Sequence, residues 1–325
     1  MNLLVTILQR LGKGYLVLLA IAILNFFLIR AAPGDPAQVM AGEAGAADEI
    51  FILQLRQQFG LDKSLFEQLW LYLSKVATFD LGFSYRQKMP VWDLILDRLP
   101  ATLLLTGTAF AISLALGLFL GAIAASREGT WADSAVTIIA LLFYATPLFW
   151  IALMAILLFS VQLDWLPSFG METVGGGHTS FARSLDIARH LILPAATLGF
   201  FFMAVYARMT RAAMLEIRGL DFVKTARAKG LSPTKIQRRH VLRNALLPII
   251  TLAGLQAGQI VGGAVLTETV YAWPGIGRLM FEALLQRDYN LLLGVFLVSS
   301  AMVIIFNIIT DLVYRIADPR IGVSA

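Results

Sequence analysis

The chain has 325 residues, 58% of them hydrophobic, and a mean hydropathy of +0.75, which soluble domains of this size rarely reach; the composition is that of a polytopic membrane protein. It contains no cysteine, which excludes disulfides, thiolate zinc sites and cysteine nucleophiles, and its three histidines, His178, His190 and His240, are too few and too scattered for a histidine metal cluster. The formal net charge is +5, but segment 208–243 alone holds ten of the 26 basic residues and only two acids, Glu216 and Asp221, so it sums to +8 and the rest of the chain to −3.

Arg10 and Lys13 lead into an apolar run from Leu16 to Ile29 that ends at Arg30 with no small-x-small cleavage site, so it reads as an uncleaved first span rather than a signal peptide. About 20 apolar residues cross a hydrocarbon core. Six segments meet that length, at 11–30, 99–126, 134–162, 189–207, 245–268 and 291–311. Between the first two, "GDP" at 34–36 reads as a turn with Asp35 as N-cap, 48–59 as a short helix, and Leu65, Leu69, Leu73 and Val76 as one face of a second helix. The third span contains Pro147, which interrupts the backbone ladder and predicts a kink. His178 lies in "GGGHTS" after that span and is read as a spectator; His190 and His240 are read as structural.

The basic segment follows span four. In "DFVKTARAKG", 221–230, Asp221 near the start and Lys229 near the end suit the dipole of a short helix, with Phe222, Val223 and Ala226 as a small apolar patch and Lys224 and Arg227 on a neighbouring face. Gly230 predicts a helix stop at positive φ, Ser232 a new N-cap and Pro233 the first position of a second helix running into span five. Span five spaces Gly254, Gly258 and Gly262 four apart, a face for close helix contact, and puts Gln256, Gln259 and Gly263 on another, for a water-lined path or interhelical hydrogen bonds. After it, Glu268 is placed to meet cargo or a neighbouring loop, Tyr271 and Trp273 suit a membrane interface, 273–275 is a turn, and 276–286 is a short amphipathic helix.

Short loops rich in Lys and Arg stay cytoplasmic, so the loop 208–244 and both termini are expected inside and segment 31–98 outside. The basic loop has three readings: a solvated topology anchor near anionic lipid, a nucleic-acid contact, or a docking knob for a cytoplasmic partner. A loop tethered at both ends beside a membrane suits nucleic acid poorly. The small residues Thr225, Ala226 and Ala228 with the glycine corner favour the knob. No Gly-x-x-x-x-Gly-Lys-[Ser/Thr], Gly-x-Ser-x-Gly or His-Glu-x-x-His occurs, and the middles of the spans hold no ionisable residue. No catalytic or metal-binding set is expected, and a transporter without these features must receive its energy from another subunit.

The loop resembles the cytoplasmic "EAA" loop of ABC-importer permeases, with Lys224-Thr225-Ala226 in place of Glu-Ala-Ala, then Gly230, and Leu242-Arg243 in place of a Leu-Pro that here comes later, at Pro248. "TARAKGLS" and "RHVLRNALLP" are similar to the B-type permeases of dipeptide, oligopeptide, glutathione and nickel importers. So, in order, are "APGDP" at 32–36, "DLGFSY" at 80–85, "PVWDLILDRLPATLLL" at 90–105, "TPLFW" at 146–150 and "LTETVYAWPGIGRLMFEALLQRDY" at 266–289.

That resemblance implies an all-α, six-span, type I ABC-importer permease in a bacterial inner membrane. Residues 1–30 would hold the N-terminus and first span, 31–98 an extracytoplasmic helical segment, and 99–325 a five-helix core. It implies a paralogous C-type permease, two P-loop ATPase subunits carrying ATP and Mg, and an extracytoplasmic solute-binding protein as partners, with no cofactor on this chain. ATPase coupling then falls to Asp221, Phe222, Lys224, Thr225, Ala226, Arg227, Ala228, Lys229 and Gly230, and the pathway or gate to Pro147, Gln256, Gln259 and Glu268. The cargo expected is a short peptide; nickel, glutathione or an opine-like solute would fit the same architecture, and a stand-alone channel or secondary transporter is the rival class.

Overall fold

The computed structural model describes residues 3–31, 49–58, 62–84, 86–175 and 179–317. The predicted turn at 34–36 and His178 lie outside them. The elements in chain order are α1 (Leu3–Ala31), α2 (Glu49–Gln58), α3 (Leu65–Ala77), a two-residue hairpin of β1 (Phe83–Ser84) and β2 (Met89–Pro90), α4 (Val91–Ser126), α5 (Trp131–Ala145), α6 (Leu148–Ala155) running into a π-helical stretch at Ile156–Gln162, α7 (Ser180–Arg218), α8 (Asp221–Ala228), α9 (Pro233–Ile236) running into a second π-helical stretch at Gln237–Leu242, α10 (Arg243–Val270), α11 (Ile276–Gln286) and α12 (Tyr289–Ala317). Among the described residues four helices are long and apolar enough to cross a bilayer, and α5 with the helix after it makes a fifth span if counted together. Helix α10 occupies the remaining predicted segment.

The chain divides into two compact units, residues 1–100 with 275–304 and residues 101–274 with 305–325. In the first, Ser64 and Glu67 form a capping box at the start of α3. The Ser64 hydroxyl, and then its backbone N–H, hold the Glu67 carboxyl below its ordinary pKa. Of the apolar stripe read along this helix, Leu69, Leu73 and Val76 are half-buried and Leu65 is 52% exposed; beside them Gln68 is buried and Tyr72 meets Phe26 of α1 with ring centroids 5.9 Å apart. The chain leaves α11 through Arg287 at φ +59; the Asp288 side chain accepts from the buried Ser84 hydroxyl of the hairpin and from the Leu291 N–H that opens α12.

In the second unit the core runs through Leu105, Leu198, Tyr206, Ile249 and Trp273. Tyr271 and Trp273, expected at a membrane interface, are buried instead, 2% and 0% exposed. Helix α10 ends with Ala272 at φ +50, the Trp273 N–H reaching back to the Glu268 carbonyl at 2.8 Å. That turn drives the indole inward, where Nε1 donates to the Ala101 carbonyl at 2.9 Å, while the Tyr271 and Thr197 hydroxyls pair at 2.8 Å. The kink expected at Pro147 is a complete break: the axes on either side differ by 104°. Thr146 is extended, as a residue before proline prefers.

Span five packs along α7, with Gly254 and Gly258 buried and Gly262 exposed, and a further set of close glycine contacts joins α4 to α7. A Cβ added at Gly262 would meet nothing within 4 Å, whereas one at Gly117 would overlap the Tyr206 side chain and one at Gly121 would lie 2.5 Å from the Ala207 carbonyl. At Gly199 it would lie 2.8 Å from Ile112 and 3.2 Å from the Ala109 carbonyl. Helices α4 and α7 therefore run parallel along a glycine seam. Gly117→Ala and Gly121→Ala are each expected to lower stability in detergent by about 1–3 kcal/mol through overpacking, read as a lower melting temperature of the purified chain, and Gly262→Ala to leave it unchanged or higher.

Candidate functional site

The long helix α7 stays helical through Arg208, Arg211 and Arg218, and the chain then turns at Gly219-Leu220 into α8. Both ends of α8 are as read. Asp221 stands in the first turn, paired with Lys224 at 2.8 Å, an exposed pair that adds little stability. At the far end Gly230 takes φ +75, its N–H bonding the Arg227 carbonyl at 2.9 Å and the Leu231 N–H the Ala226 carbonyl at 3.3 Å. This double closure is the Schellman stop, which glycine makes without a Cβ penalty. Ser232 holds the N-cap position by its backbone, with Pro233 first in α9, but its hydroxyl makes no capping bond.

Two of the eight residues of α8 face the protein. Val223 and Ala226, 0% and 5% exposed, pack with Ala213 and Met214 of α7, Ile236 of α9, and Val241 and Ala245 beyond it. Full burial of a valine is worth about 1.5–3 kcal/mol, so α8 is fastened as a rigid shelf. Ala226, read as part of the docking surface, instead belongs to the inner face. Phe222, Thr225, Ala228 and Lys229 are exposed, as are Lys224 and Arg227. Phe222 keeps 43% of its surface accessible.

The shelf is tied to the turn between α4 and α5. Arg211 donates to both carboxylate oxygens of Asp133, at 2.6 and 2.8 Å, and the Gly129 N–H donates to Asp133 at 3.0 Å. Gln237 of the second π-helical stretch donates to the Ser126 hydroxyl at 2.6 Å. The bidentate fork fixes direction as well as distance. Residues 78 apart in sequence form this pair, so no local pattern announces it.

The proposed pathway residues scatter. Pro147 stands at the helix break. Gln256 is 9% exposed, and its Oε1 has no hydrogen-bond partner; the Gln259 side chain lies outside the described residues. Glu268 is 0% exposed and accepts from the Thr102 hydroxyl at 2.6 Å, which places it in the core of this unit. His190 is buried, its Nδ1 2.9 Å from the Asp186 carbonyl, and His240 lies in the second π-helical stretch. Among the described residues no group of three or more His, Asp or Glu is placed to hold a metal.

A helical membrane subunit with a fastened, basic, solvent-facing helix between two spans is the architecture of an importer permease. The chain belongs to the binding-protein-dependent transport-system inner-membrane components: that family's profile matches residues 117–323, and the profile of its N-terminal region matches residues 3–106. It is thus a multi-pass permease subunit of a binding-protein-dependent ABC importer, working with separate ATPase, permease and binding-protein components. It is 41% identical to the di/tripeptide transport system permease DppB of Pseudomonas aeruginosa, over 96% of this chain and 97% of the relative. It is 38% identical to the dipeptide transport system permease DppB of Escherichia coli K12, over 97% and 98%, and 40% identical to a putative peptide transport permease of Brucella abortus, over 97% and 98%. The inward-facing MetNI methionine ABC transporter shares the fold, with a TM-score of 0.56 at 20% identity over 70% of this chain and 98% of that one.

Gly230→Val would force a β-branched side chain into the left-handed region at a cost of about 1–2 kcal/mol, and Val223→Asp would bury an unpaired carboxylate. Both are expected to speed hydrogen exchange across residues 221–236 in the purified chain, whereas Gly230→Asn, which tolerates positive φ, leaves it near wild type.

Proposed function

We propose that this chain forms half of the translocation pathway of a bacterial importer for di- and oligopeptides, and that α8 is the surface on which a separate ATPase subunit pushes. The observation that carries the reading is the two-sided character of α8: Val223 and Ala226 lock it to α7 and α9, while Phe222, Thr225 and the basic residues stay exposed. A shelf fastened in this way transmits a displacement rather than absorbing it, and a partner can shift a conformational equilibrium only through contacts that differ between its states. The peptide cargo rests on the full-length likeness to relatives named for di/tripeptide, dipeptide and peptide transport.

In this reading loop 208–244 and both termini are cytoplasmic, residues 31–98 lie outside, a paralogous C-type permease supplies the other half of the pathway, and two P-loop ATPases bring ATP and Mg. An extracytoplasmic binding protein delivers cargo. Asp221, Lys224, Thr225, Arg227, Ala228 and Lys229 surround the Phe222 anchor, and Val223, Ala226 and Gly230 hold its geometry. Pro147 and Gln256 are the gate candidates; Glu268 acts by holding α10 to α4 through Thr102.

The test begins with purification of the chain from its native membrane and mass spectrometry of what accompanies it. A second permease, P-loop ATPases and a peptide-loaded binding protein are expected. Phe222→Asp removes an exposed aromatic anchor without touching the core, and such anchors are worth about 2 kcal/mol or more, roughly thirtyfold in docking affinity. Uptake of labelled dipeptide should collapse with the chain still in the membrane at wild-type level. Uptake by the chain reconstituted alone would refute the coupling role.

A further inference from the structure

Helix α7 holds no Asp, Glu, Lys or Arg between Arg189 and Arg208. At 1.5 Å per residue that run is about 28 Å long, the thickness of a hydrocarbon core. Arg208 therefore marks the level at which α7 leaves the apolar layer, on the side of the basic loop. Side chains on a helix slope toward its N-terminus. For Arg208 that direction is back into the apolar run, and its guanidinium carbon lies 4.9 Å from the centroid of the Tyr144 ring.

This cation sits in a built groove. Helices α5 and α7 enclose a cavity of about 610 Å³ whose walls include Ile138, Leu141 and Ala204 and whose polar edge includes Ser134, Tyr144 and Arg208. Ile138 and Leu141 are 57% and 58% exposed, so the groove opens outward along an apolar face. Arg211, the other cation on its rim, is committed to Asp133 through two hydrogen bonds. Among the described residues no carboxylate lies within ion-pair distance of Arg208. A guanidinium held at the edge of the hydrocarbon layer is stabilised by a counter-charge.

We infer that the α5–α7 groove binds one anionic phospholipid, with its phosphate on the Arg208 guanidinium and an acyl chain lying along Ile138, Leu141 and Ala204. The occupant follows from three features together: a cation at the end of the charge-free run with its guanidinium turned back toward it, an apolar channel beside it, and the +8 charge of the adjoining segment 208–243, which concentrates anionic lipid at this face. A guanidinium meets phosphate oxygens in bidentate fashion. The Tyr144 ring beneath it holds the guanidinium in the groove rather than letting it swing out to water.

Native mass spectrometry of the chain, in whatever assembly it purifies with from membranes containing phosphatidylglycerol and phosphatidylethanolamine, reads this directly. The wild type should retain phosphatidylglycerol through detergent exchange. Arg208→Gln should lower retention by about fivefold, the worth of one basic residue near an anionic surface, and Arg208→Lys should lower it less. Leu141→Trp fills the channel without changing charge and should lower retention as well, which guards against a variant that merely misfolds. Inorganic phosphate, which has the head but no chain, should not displace the lipid. Equal retention by wild type, Arg208→Gln and Leu141→Trp would overturn the inference. So would displacement of the lipid by a dipeptide, which would give the groove to cargo, or efficient cross-linking of a Leu141→Cys variant to a neighbouring permease subunit, which would give it to protein.

Discussion

Within a bilayer, apolar side chains gain nothing by leaving lipid for one another, so helices associate where their backbones come close or polar groups pair between them. In this permease the first condition is met between α4 and α7. Gly199 admits Ile112 and the Ala109 carbonyl, Gly117 admits Tyr206, and Gly121 admits Ala207 and Thr210. Much else depends on this seam. It sets the axis of the 39-residue α7, whose far end carries the basic loop, and it buries Tyr206 beside Leu105 and Leu198 at the centre of the core. Because the seam relies on missing side chains, each step tolerates little substitution.

The fastening of the exposed helix to the spans depends on the seam as well. α8 has too few residues for stability of its own, since isolated helices shorter than about 12 residues are marginal. Its rigidity is borrowed: Val223 and Ala226 sit on Met214 and Ile236, and Arg211 clamps α7 to Asp133 at the head of α5. In the coupling role proposed above, a push on Phe222 would reach three elements at once, namely α7, α9 with its continuation into α10, and α5.

Much of this was legible in the sequence because the signals are local. Gly230 before Ser232-Pro233 predicts the corner of the basic loop, the "WPG" at 273–275 predicts the turn before α11, and the charge-free runs predict the long helices. What was not legible concerns facing. Ala226 looked like part of an outer patch because a helix of eight residues has no periodicity long enough to tell inside from outside. Gly254 and Gly258 are buried as their spacing suggests, whereas Gly262, at the same spacing, is exposed, and spacing alone does not say how far along a helix a contact face runs. Tyr271 and Trp273 have the amphipathic rings of an interface belt, and only the left-handed turn at Ala272 sends them inward. The Asp133–Arg211 clamp and the Glu268–Thr102 bond join distant parts of the chain, which no window of sequence contains.

The break at Pro147 has a bearing on solvent. Fifteen residues of α5 span about 22 Å, so the chain turns through 104° before a full hydrocarbon thickness is crossed. Thr146 closes the end by donating both its N–H and its hydroxyl to the Leu142 carbonyl. Pro147 has no N–H to offer the Phe143 carbonyl next to it. A bare carbonyl facing lipid tails is costly enough that membrane proteins place such groups only against protein or in water-filled recesses. The bend in this span therefore has to face neighbouring protein or a hydrated recess rather than acyl chains.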